Sequence, residues 1–521
     1  MACDPFGSQV PTTRTSALNP SVTMTDKLVV PHDRVLAAPR EGIEYLNHQE
    51  IGVRWMLERE AVGAPVCRGG ILADDMGLGK TFQTIGLLKN TPFDLRTLLI
   101  CPPALISGWT EELRACGFRV WIIGTGVAAW SPVGGDRDRS ESEGADGSRW
   151  TRDVWLTTYS KAHLFARFLA TEADGWGRVV LDEGHIIRNG KGTQRWWSCL
   201  AIAKKSQCRW ILSATPVQNG IDDWRNLCWW LRVRCPDAAI PALAPLIMLR
   251  RTMDELRATI STLPSPPRFV DHALSIPMET SEGRLFRALC DNLQSVMDSR
   301  HVAAVIKLEL YLRIQQFLVH PQLYIESMRR KFQSAYSRPD WRGSTTKWSA
   351  FCAELGRAVT ERTPTIVFCK FSREIDLVVE EVQRIGGRVW AIRGGMGSEK
   401  VGEAVAEARA ASQEPSDGSL GGVVVVVQIE SGGAGLNLQF CQRILFLSQH
   451  WNPAVVHQAV GRAVRIGQGA EVEIHRFNVV DEVMDNLDAR MISVHLRKIG
   501  DAREVCSSLY EGFYTPVEEG D

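Results

Sequence analysis

A chain of 521 residues is long enough for two or three cored domains, and 45% hydrophobic with 23% charged residues is the balance of an ordinary globular protein. Lys+Arg 60 against Asp+Glu 60 leaves no net charge, so contact with nucleic acid has to come from a local basic surface and not from a global field. The 13 cysteines include no C-x-x-C pair, which argues against a zinc ribbon, a RING or a disulfide framework, and for a reduced, intracellular compartment.

No apolar run approaches the ~18 residues of a membrane span. The start, "MACDPFGSQVPTTRTS", lacks the charged-then-apolar layout of a signal peptide, so the expectation is a soluble chain without a membrane partner. Residues 1–40 mix Pro, Thr and Ser without period and are expected as a disordered N-terminal arm. "HQEIGVRWMLERE" then reads as a helix.

"ILADDMGLGKT" (Ile71 to Thr81) follows, and it departs from G-x-x-x-x-G-K-[ST] because Asp74 holds the place of the first glycine. The chemistry of a phosphate loop still fits. Gly77 and Gly79 let backbone amides curl toward a polyphosphate, Lys80 reaches the terminal phosphates, and Thr81 holds magnesium. An apolar pair precedes the loop, and "TFQTIGLLK" at helical spacing follows it, putting anionic groups at a helix N-terminus. An ordinary strand-to-helix turn remains the alternative until a partner motif decides.

Short apolar runs ending in polar or Gly-rich turns come next: "TLLICPP", "VWLTTYS", "RVVLDEGH" and "RWILSATP". A later group comprises "TIVFCKF", "GGVVVVVQIESGG" and "RILFLSQHW". Runs buried on both faces belong to parallel sheets, and the alternation with helices makes the fold α/β with two sheets. "SPVGGDRDRSESEGADGS" (131–148) and "SQEPSDGSLGG" (412–422) read as solvated loops. The middle, about 220–363, is helix-rich, with "RLFRALCDNLQSVM" and "AAVIKLELYLRIQQFLVHPQL" spacing apolar residues three and four apart.

The partner motif is "RVVLDEGH". Its strand delivers Asp182 and Glu183 to the carboxyl edge of a doubly wound sheet, where ligands bind. Asp182 suits magnesium, and Glu183 suits the base that orients and deprotonates water for attack on a γ-phosphate. Arg462 and Arg465, three apart in "VHQAVGRAVRIGQ", are expected on one helix face, placed to neutralise charge on a transferred phosphoryl.

These motifs resemble the Swi/Snf group of superfamily-two helicase-like ATPases, in order from about Tyr45 to Met491. The resemblance implies two RecA-like doubly wound parallel-sheet lobes with helical insertions, ATP and Mg2+ as cofactors, and double-stranded DNA as partner, with nucleosomes or other DNA-bound proteins beyond it. It implies a monomeric motor directed by targeting partners, resident in the nucleus. Gln49 in "LNHQ" resembles the adenine-reading glutamine, and the loop Asp74, Asp75, Met76, Gly77, Leu78, Gly79, Lys80 and Thr81 the family's own, Asp75 replacing a usual Glu. His185 is expected to couple nucleotide state to the second lobe, and Ser213 and Thr215 in "LSATPVQNG" to link hydrolysis to DNA movement. Gln458 is assigned to the same coupling, and Gly435 in "SGGAGLNL" to the nucleotide. "DEGH" and "LNHQ" are similar to the helicase-like transcription factor subgroup, though Cys290 and Cys352 alone between the lobes cannot form its RING.

The implied domains are the arm 1–40, an ATP-binding lobe 41–265 with a protrusion from about 220, a helical protrusion and linker 266–363, a second lobe 364–500 and a tail 501–521. Arg250, Arg251 and Arg313 are structural, DNA-facing or solvated. Glu430 stands where the family offers Lys, Gln428 replaces Ser, His457 Glu and Val464 His. With Lys80, Thr81, Asp182, Glu183, Arg462 and Arg465 retained, the expected function is a double-stranded DNA translocase that does not separate strands. A nucleotide-gated DNA clamp with weak or uncoupled ATPase is the alternative, because a carboxylate at Glu430 repels phosphate.

Overall fold

The computed structural model describes residues 35–61, 66–91, 96–123, 130–132, 152–164, 166, 176–261, 263–298, 303–343, 345–414, 421–430, 436–448, 450–480, 497–498, 500, 503 and 505. Among these, the strands form two sheets. The first contains β1 (Gly69–Leu72), β2 (Thr97–Cys101), β3 (Phe118–Ile123), β4 (Trp130–Pro132), β5 (Arg152–Thr158), β6 (Arg178–Asp182), β7 (Cys208–Leu212) and β8 (Met248–Leu249). Their spatial order is β4-β3-β5-β2-β6-β7-β1-β8, parallel throughout except for the β3/β4 pair. The second sheet contains β9 (Arg268–Leu274), β10 (Thr365–Cys369), β11 (Arg388–Ile392), β12 (Val423–Gln428), β13 (Arg443–Phe446) and β14 (Glu473–Val479). It is wholly parallel, in the order β11-β12-β10-β13-β14-β9.

The central strands β1, β2, β7, β10 and β13 are buried along their whole length, as expected of β-branched and leucine runs covered by helices on both faces. Leu72, Asp182 and Leu212 lie in register across β1, β7 and β6. The loops that follow these three strands therefore leave the sheet at one level, and this brings the sequence motifs together. A buried apolar cluster runs from Ile71, Val179 and Ile211 of the first lobe to Ile366, Val425 and Ile444 of the second.

Three elements differ from the sequence reading. The stretch expected as a helical linker supplies β9, which pairs along β14 and so extends the second lobe's sheet. β9 is half-exposed at a sheet edge, so its residues "RFVDHAL" carry no continuous apolar run. The solvated loop expected from Ser131 begins inside β4, held by pairing with β3, while 133–148 lie outside the described residues. The end of the N-terminal arm is tied down: the Ala37 amide donates to Asn90 Oδ1 at 2.9 Å, and Tyr45 Oη donates to the Ala37 carbonyl at 3.1 Å. Residues 1–34 and most of the 501–521 tail also lie outside the described residues.

The helices Ser281–Asp298, Ala304–Val319 and Pro321–Phe332 form their own apolar cluster around Phe286, Phe317 and Ile325. A buried ion pair braces the first lobe. Arg178 Nε donates to Glu60 Oε1 at 2.5 Å, and Trp210 Nε1 donates to the same oxygen at 2.7 Å, joining the helix Asn47–Glu60 to β6 and β7.

Candidate functional site

The loop after β1 is built on two left-handed glycines, Gly77 at φ +84° and Gly79 at φ +83°, a region that a Cβ disfavours. Space reinforces the requirement. A Cβ on Gly79 would stand 2.3 Å from Gln49 Nε2, and one on Gly77 would stand 3.1 Å from the Arg465 Cα. Gln49 Nε2 donates to the Leu78 carbonyl at 3.3 Å, which seats Gln49 on the loop. Lys80 and Thr81 open the helix Lys80–Asn90. Lys80 Nζ donates to the carbonyls of Asp74 and Asp75 at 2.6 and 3.1 Å.

The two aspartates are anchors of the loop. Arg251 Nε donates to Asp74 Oδ1 at 3.0 Å, and Gln83 Nε2 to Asp74 Oδ2 at 2.9 Å. Arg250 Nη2 donates to Asp75 Oδ1 at 2.7 Å, while its Nη1 reaches the Ala73 and Ala214 carbonyls at 2.7 and 2.9 Å. The Met253 amide also donates to Asp75, at 3.2 Å. Of the three roles left open for Arg250 and Arg251, the structural one is found. Arg313 contacts Glu309 and Gln316 within its own helix.

Asp182 ends β6, and its carboxylate is fixed from two sides: Trp109 Nε1 donates at 2.7 Å and the Glu183 amide at 2.9 Å. Tyr159 Oη donates to the Asp182 carbonyl at 2.8 Å. Burial, and then the neighbouring Glu183, push the Asp182 carboxyl up to about 6, against the Trp109 hydrogen bond. Glu183 holds φ +50°, a left-handed backbone that costs a side-chain-bearing residue on the order of 1 kcal/mol. Burial raises Glu183, but His185, Arg462 and Lys80 outweigh it and keep its carboxyl below the usual range.

His185 Nδ1 lies 3.3 Å from Glu183 Oε2 and 3.0 Å from Ser213 Oγ. Ser213 Oγ accepts from the Thr215 amide at 3.2 Å, and Gln218 Nε2 donates to Thr215 Oγ1 at 3.1 Å. From Gln218 the chain of bonds crosses to the second lobe, where Asn452 Nδ2 donates to Gln218 Oε1 at 3.0 Å.

The second lobe meets the loop through the segment after the helix Pro453–Val460. Arg462 and Arg465 do not share a helix face as expected, because the helix ends at Val460 and both sit in the following turns. The cause is packing. Gly461 presses on Met76, where an added Cβ would stand 2.8 Å from the Met76 Cβ, and the Arg462 carbonyl leaves the helical ladder to accept from the Leu438 amide at 3.1 Å. Arg465 packs on the loop at Gly77, and Glu183 acts electrostatically on both guanidinium groups, Asp182 on Arg462. Burial lowers Arg462, and burial with the neighbouring Arg462 pushes Arg465 down to about 9.

Three cations, Lys80, Arg462 and Arg465, are thus all depressed by burial around the two carboxylates Asp182 and Glu183. That donor set fits a polyanion with a divalent cation, and the left-handed glycine loop is a cradle a Cβ would fill. The side-chain amide nitrogen of Gln458, buried in the same segment, makes no hydrogen bond among the described residues. His457 is half-buried and pushed down to about 4 by desolvation, so it stays neutral beside Asp75, Arg250 and Lys80. Glu430 is exposed and faces Lys370 electrostatically, and Gln428 Oε1 accepts from the Gly394 amide at 2.8 Å. Gly435 lies outside the described residues. Sequence reasoning did not single out Trp109, Tyr159, Gln83, Gln218 or Asn452; Gln83, Tyr159 and Gln218 stood inside quoted motifs, but only the fold pairs them with their partners.

The family model for the SNF2-related domain matches residues 48–236, and that for the helicase conserved C-terminal domain matches 346–467. The chain is 28% identical over 460 residues to the "Probable global transactivator" of Orgyia pseudotsugata multicapsid polyhedrosis virus, covering 84% of this chain and 86% of that protein. It is 25% identical over 601 residues to "DNA repair protein RAD5B" of Arabidopsis thaliana (83% of this chain, 45% of that one). With the "Putative ATP-dependent helicase/translocase YwqA" of Bacillus subtilis it shares 22% over 477 residues (86% and 47%). It thus spans most of the viral relative and under half of the plant and bacterial ones. Among solved structures, the Sulfolobus solfataricus SWI2/SNF2 ATPase core in complex with dsDNA is 22% identical, with 91% of this chain and 99% of that one covered and a TM-score of 0.36.

Proposed function

The chain belongs to the Swi/Snf family of superfamily-two helicase-like ATPases, and we propose that it hydrolyses ATP to move along double-stranded DNA, or to remodel DNA-protein complexes, without separating the strands. The observation that carries this reading is the meeting of Arg462 and Arg465 from one lobe with Glu183 and the Gly77 loop from the other. Hydrolysis that needs residues from both lobes is tied to their relative motion, and such motion is what a translocase converts into steps.

In this proposal the Gly77–Gly79 backbone and Lys80 hold the phosphates, and Gln49 reads the base. Thr81 and Asp182 would hold magnesium, which when bound neutralises charge on the phosphate oxygens. Glu183, ionised well below neutral pH, orients a water and accepts its proton. Arg462 and Arg465 stabilise charge developing on the transferred phosphoryl, an electrostatic role strengthened by their burial. His185, Ser213 and Thr215 carry the state of Glu183 toward Gln218 and so to Asn452 in the second lobe. The lobes are assigned to 41–265 and 364–500, with β9 added to the second. The relative named for DNA repair makes nuclear residence part of the proposal.

The test is ATPase activity with duplex, single-stranded and no nucleic acid across a salt series, together with a tailed-duplex unwinding assay. Duplex-stimulated hydrolysis that is lost in Lys80→Ala and Glu183→Gln, without strand separation, is expected. A nucleotide-gated clamp is the second reading, favoured by the exposed Glu430 next to Lys370. It predicts DNA binding with an ATPase rate indifferent to DNA, and that result would overturn the motor.

A further inference from the structure

Away from the cleft, two histidines face each other on adjacent strands of the second sheet. His272 of β9 lies across from Phe477 of β14, and His475 stands two residues before it, so both imidazoles share one face. His272 Nε2 is 3.0 Å from His475 Nδ1, and the rings stack with centroids 5.3 Å apart. The helix Thr346–Thr360 lays Glu354 against this pair, with Oε1 3.6 Å from His475 Nε2. Taking one donor atom from each residue, the three lie within 4.8 Å of one another.

The polar accounting is incomplete. Glu354 and His475 are 3% and 4% exposed, yet Glu354 Oε1 and His475 Nε2 make no hydrogen bond among the described residues. Their contacts are long ion pairs only, 3.6 Å to each other, 3.5 Å from Arg443 to Glu354 and 3.6 Å from Glu473 to His475, and buried polar atoms are seldom held so loosely.

We propose that His272, His475 and Glu354 form a binding site for one divalent transition-metal ion of the zinc type. Two imidazoles and a carboxylate are a donor set that favours zinc over magnesium or calcium, with a fourth position left to water. Donors around tetrahedral zinc stand about 3.3 Å apart, and His475 offers one ion a single nitrogen, Nδ1 toward His272 or Nε2 toward Glu354, so its ring has to turn for the three donors to converge. The surrounding charge is balanced. Arg443 Nη1 is 3.5 Å from Glu354 Oε1, but its guanidinium is engaged by Glu361 at 3.1 Å and Glu473 at 2.9 Å, and Arg268 lies 3.3 Å from Glu473. Arg357 Nη1 also lies 3.3 Å from Glu354 Oε2, so the three carboxylates Glu354, Glu361 and Glu473 face three guanidinium groups. His272 is partly exposed on the edge strand and offers the entry path. A bound ion would pin β9 to β14 and to the helix above them, fastening to the second lobe the chain that leaves the first.

The experiment is titration of the chelator-stripped full chain with Co2+ in excess Mg2+, followed by visible absorption and by thermal melting. One equivalent is expected to bind, with the d–d bands of nitrogen and oxygen ligands, no thiolate charge transfer, and a raised melting midpoint. His272→Ala and Glu354→Gln are each expected to weaken binding at least tenfold. Thiolate charge transfer, uptake unchanged in His272→Ala, or no uptake at all would overturn the site and leave the triad a hydrogen-bonded network. The spectrum of the unaltered chain and the edge-strand variant decide the matter even where Glu354→Gln does not fold.

Discussion

The Asn452 side-chain amide donates to the Gln218 side-chain oxygen at 3.0 Å across the two lobes, and both residues are buried. Gln218 is itself held by Thr215, so this bond ties the first lobe's Ser213–Gln218 segment to the residue that caps the helix preceding Arg462 and Arg465. Removing one partner leaves the other buried and unsatisfied when the lobes close, a cost of about 1–3 kcal/mol. Asn452→Ala is therefore expected to lower the steady-state ATPase rate by roughly tenfold, as is Gln218→Ala. The double variant should fall little further, because each substitution breaks the same contact. Independent, additive losses in that cycle would refute a shared latch.

Asp74 is wholly buried and receives Arg251 and Gln83. Arg251→Ala leaves its carboxylate without its charge partner, which for a buried pair costs about 3–5 kcal/mol. The loop that the pair anchors is the proposed phosphate cradle, so the variant should show both a lower denaturation midpoint and weaker ATP binding. Arg251→Ala with unaltered nucleotide affinity would separate the ion pair from the loop's function.

Glu60 provides a control far from the cleft chemistry. It is 5% exposed and accepts from both Arg178 and Trp210. Glu60→Ala strands the Arg178 guanidinium in the first lobe's core and is expected to destabilise that lobe by about 3–5 kcal/mol. Denaturant unfolding measures this directly, and a loss below about 1 kcal/mol would mean that water or a neighbour relieves the charge.

How far the chain could be read in advance follows from what each signal encodes. Strands buried on both faces announce themselves as apolar runs, so "TLLIC" and "TIVFC" mark two sheets directly. β9 was missed because an exposed edge strand needs no such run, and its pairing with β14, about two hundred residues on, is a tertiary fact. In the cleft, residue types at fixed spacing located Lys80, Asp182 and Glu183. The partners that fix them, Arg250 on Asp75 and Trp109 on Asp182, come from distant segments, and nothing local in the sequence pairs them. The arginines show the opposite error: the i, i+3 spacing suggested a shared helix face, but Gly461 against Met76 ends the helix before them.

His320 caps the helix Pro321–Phe332, its Nδ1 accepting from the Gln322 amide at 3.0 Å. Accepting there requires the unprotonated nitrogen, and burial pushes the imidazole down from 6.5 to about 4, with Arg373 adding to the effect and Glu326 opposing it. A base depressed in the folded state stays neutral while the unfolded chain takes up a proton. The stability it contributes is therefore complete above about pH 6.5 and is lost as pH falls toward 4. The full difference corresponds to on the order of 3–4 kcal/mol, reduced by whatever solvent reaches the ring. His320→Asn keeps a capping side chain without a titrating group, so its unfolding midpoint should fall less steeply than that of the unaltered chain between pH 6.5 and 4. Parallel curves through that window would show that the imidazole titrates alike in both states, and the cap would then carry no pH dependence.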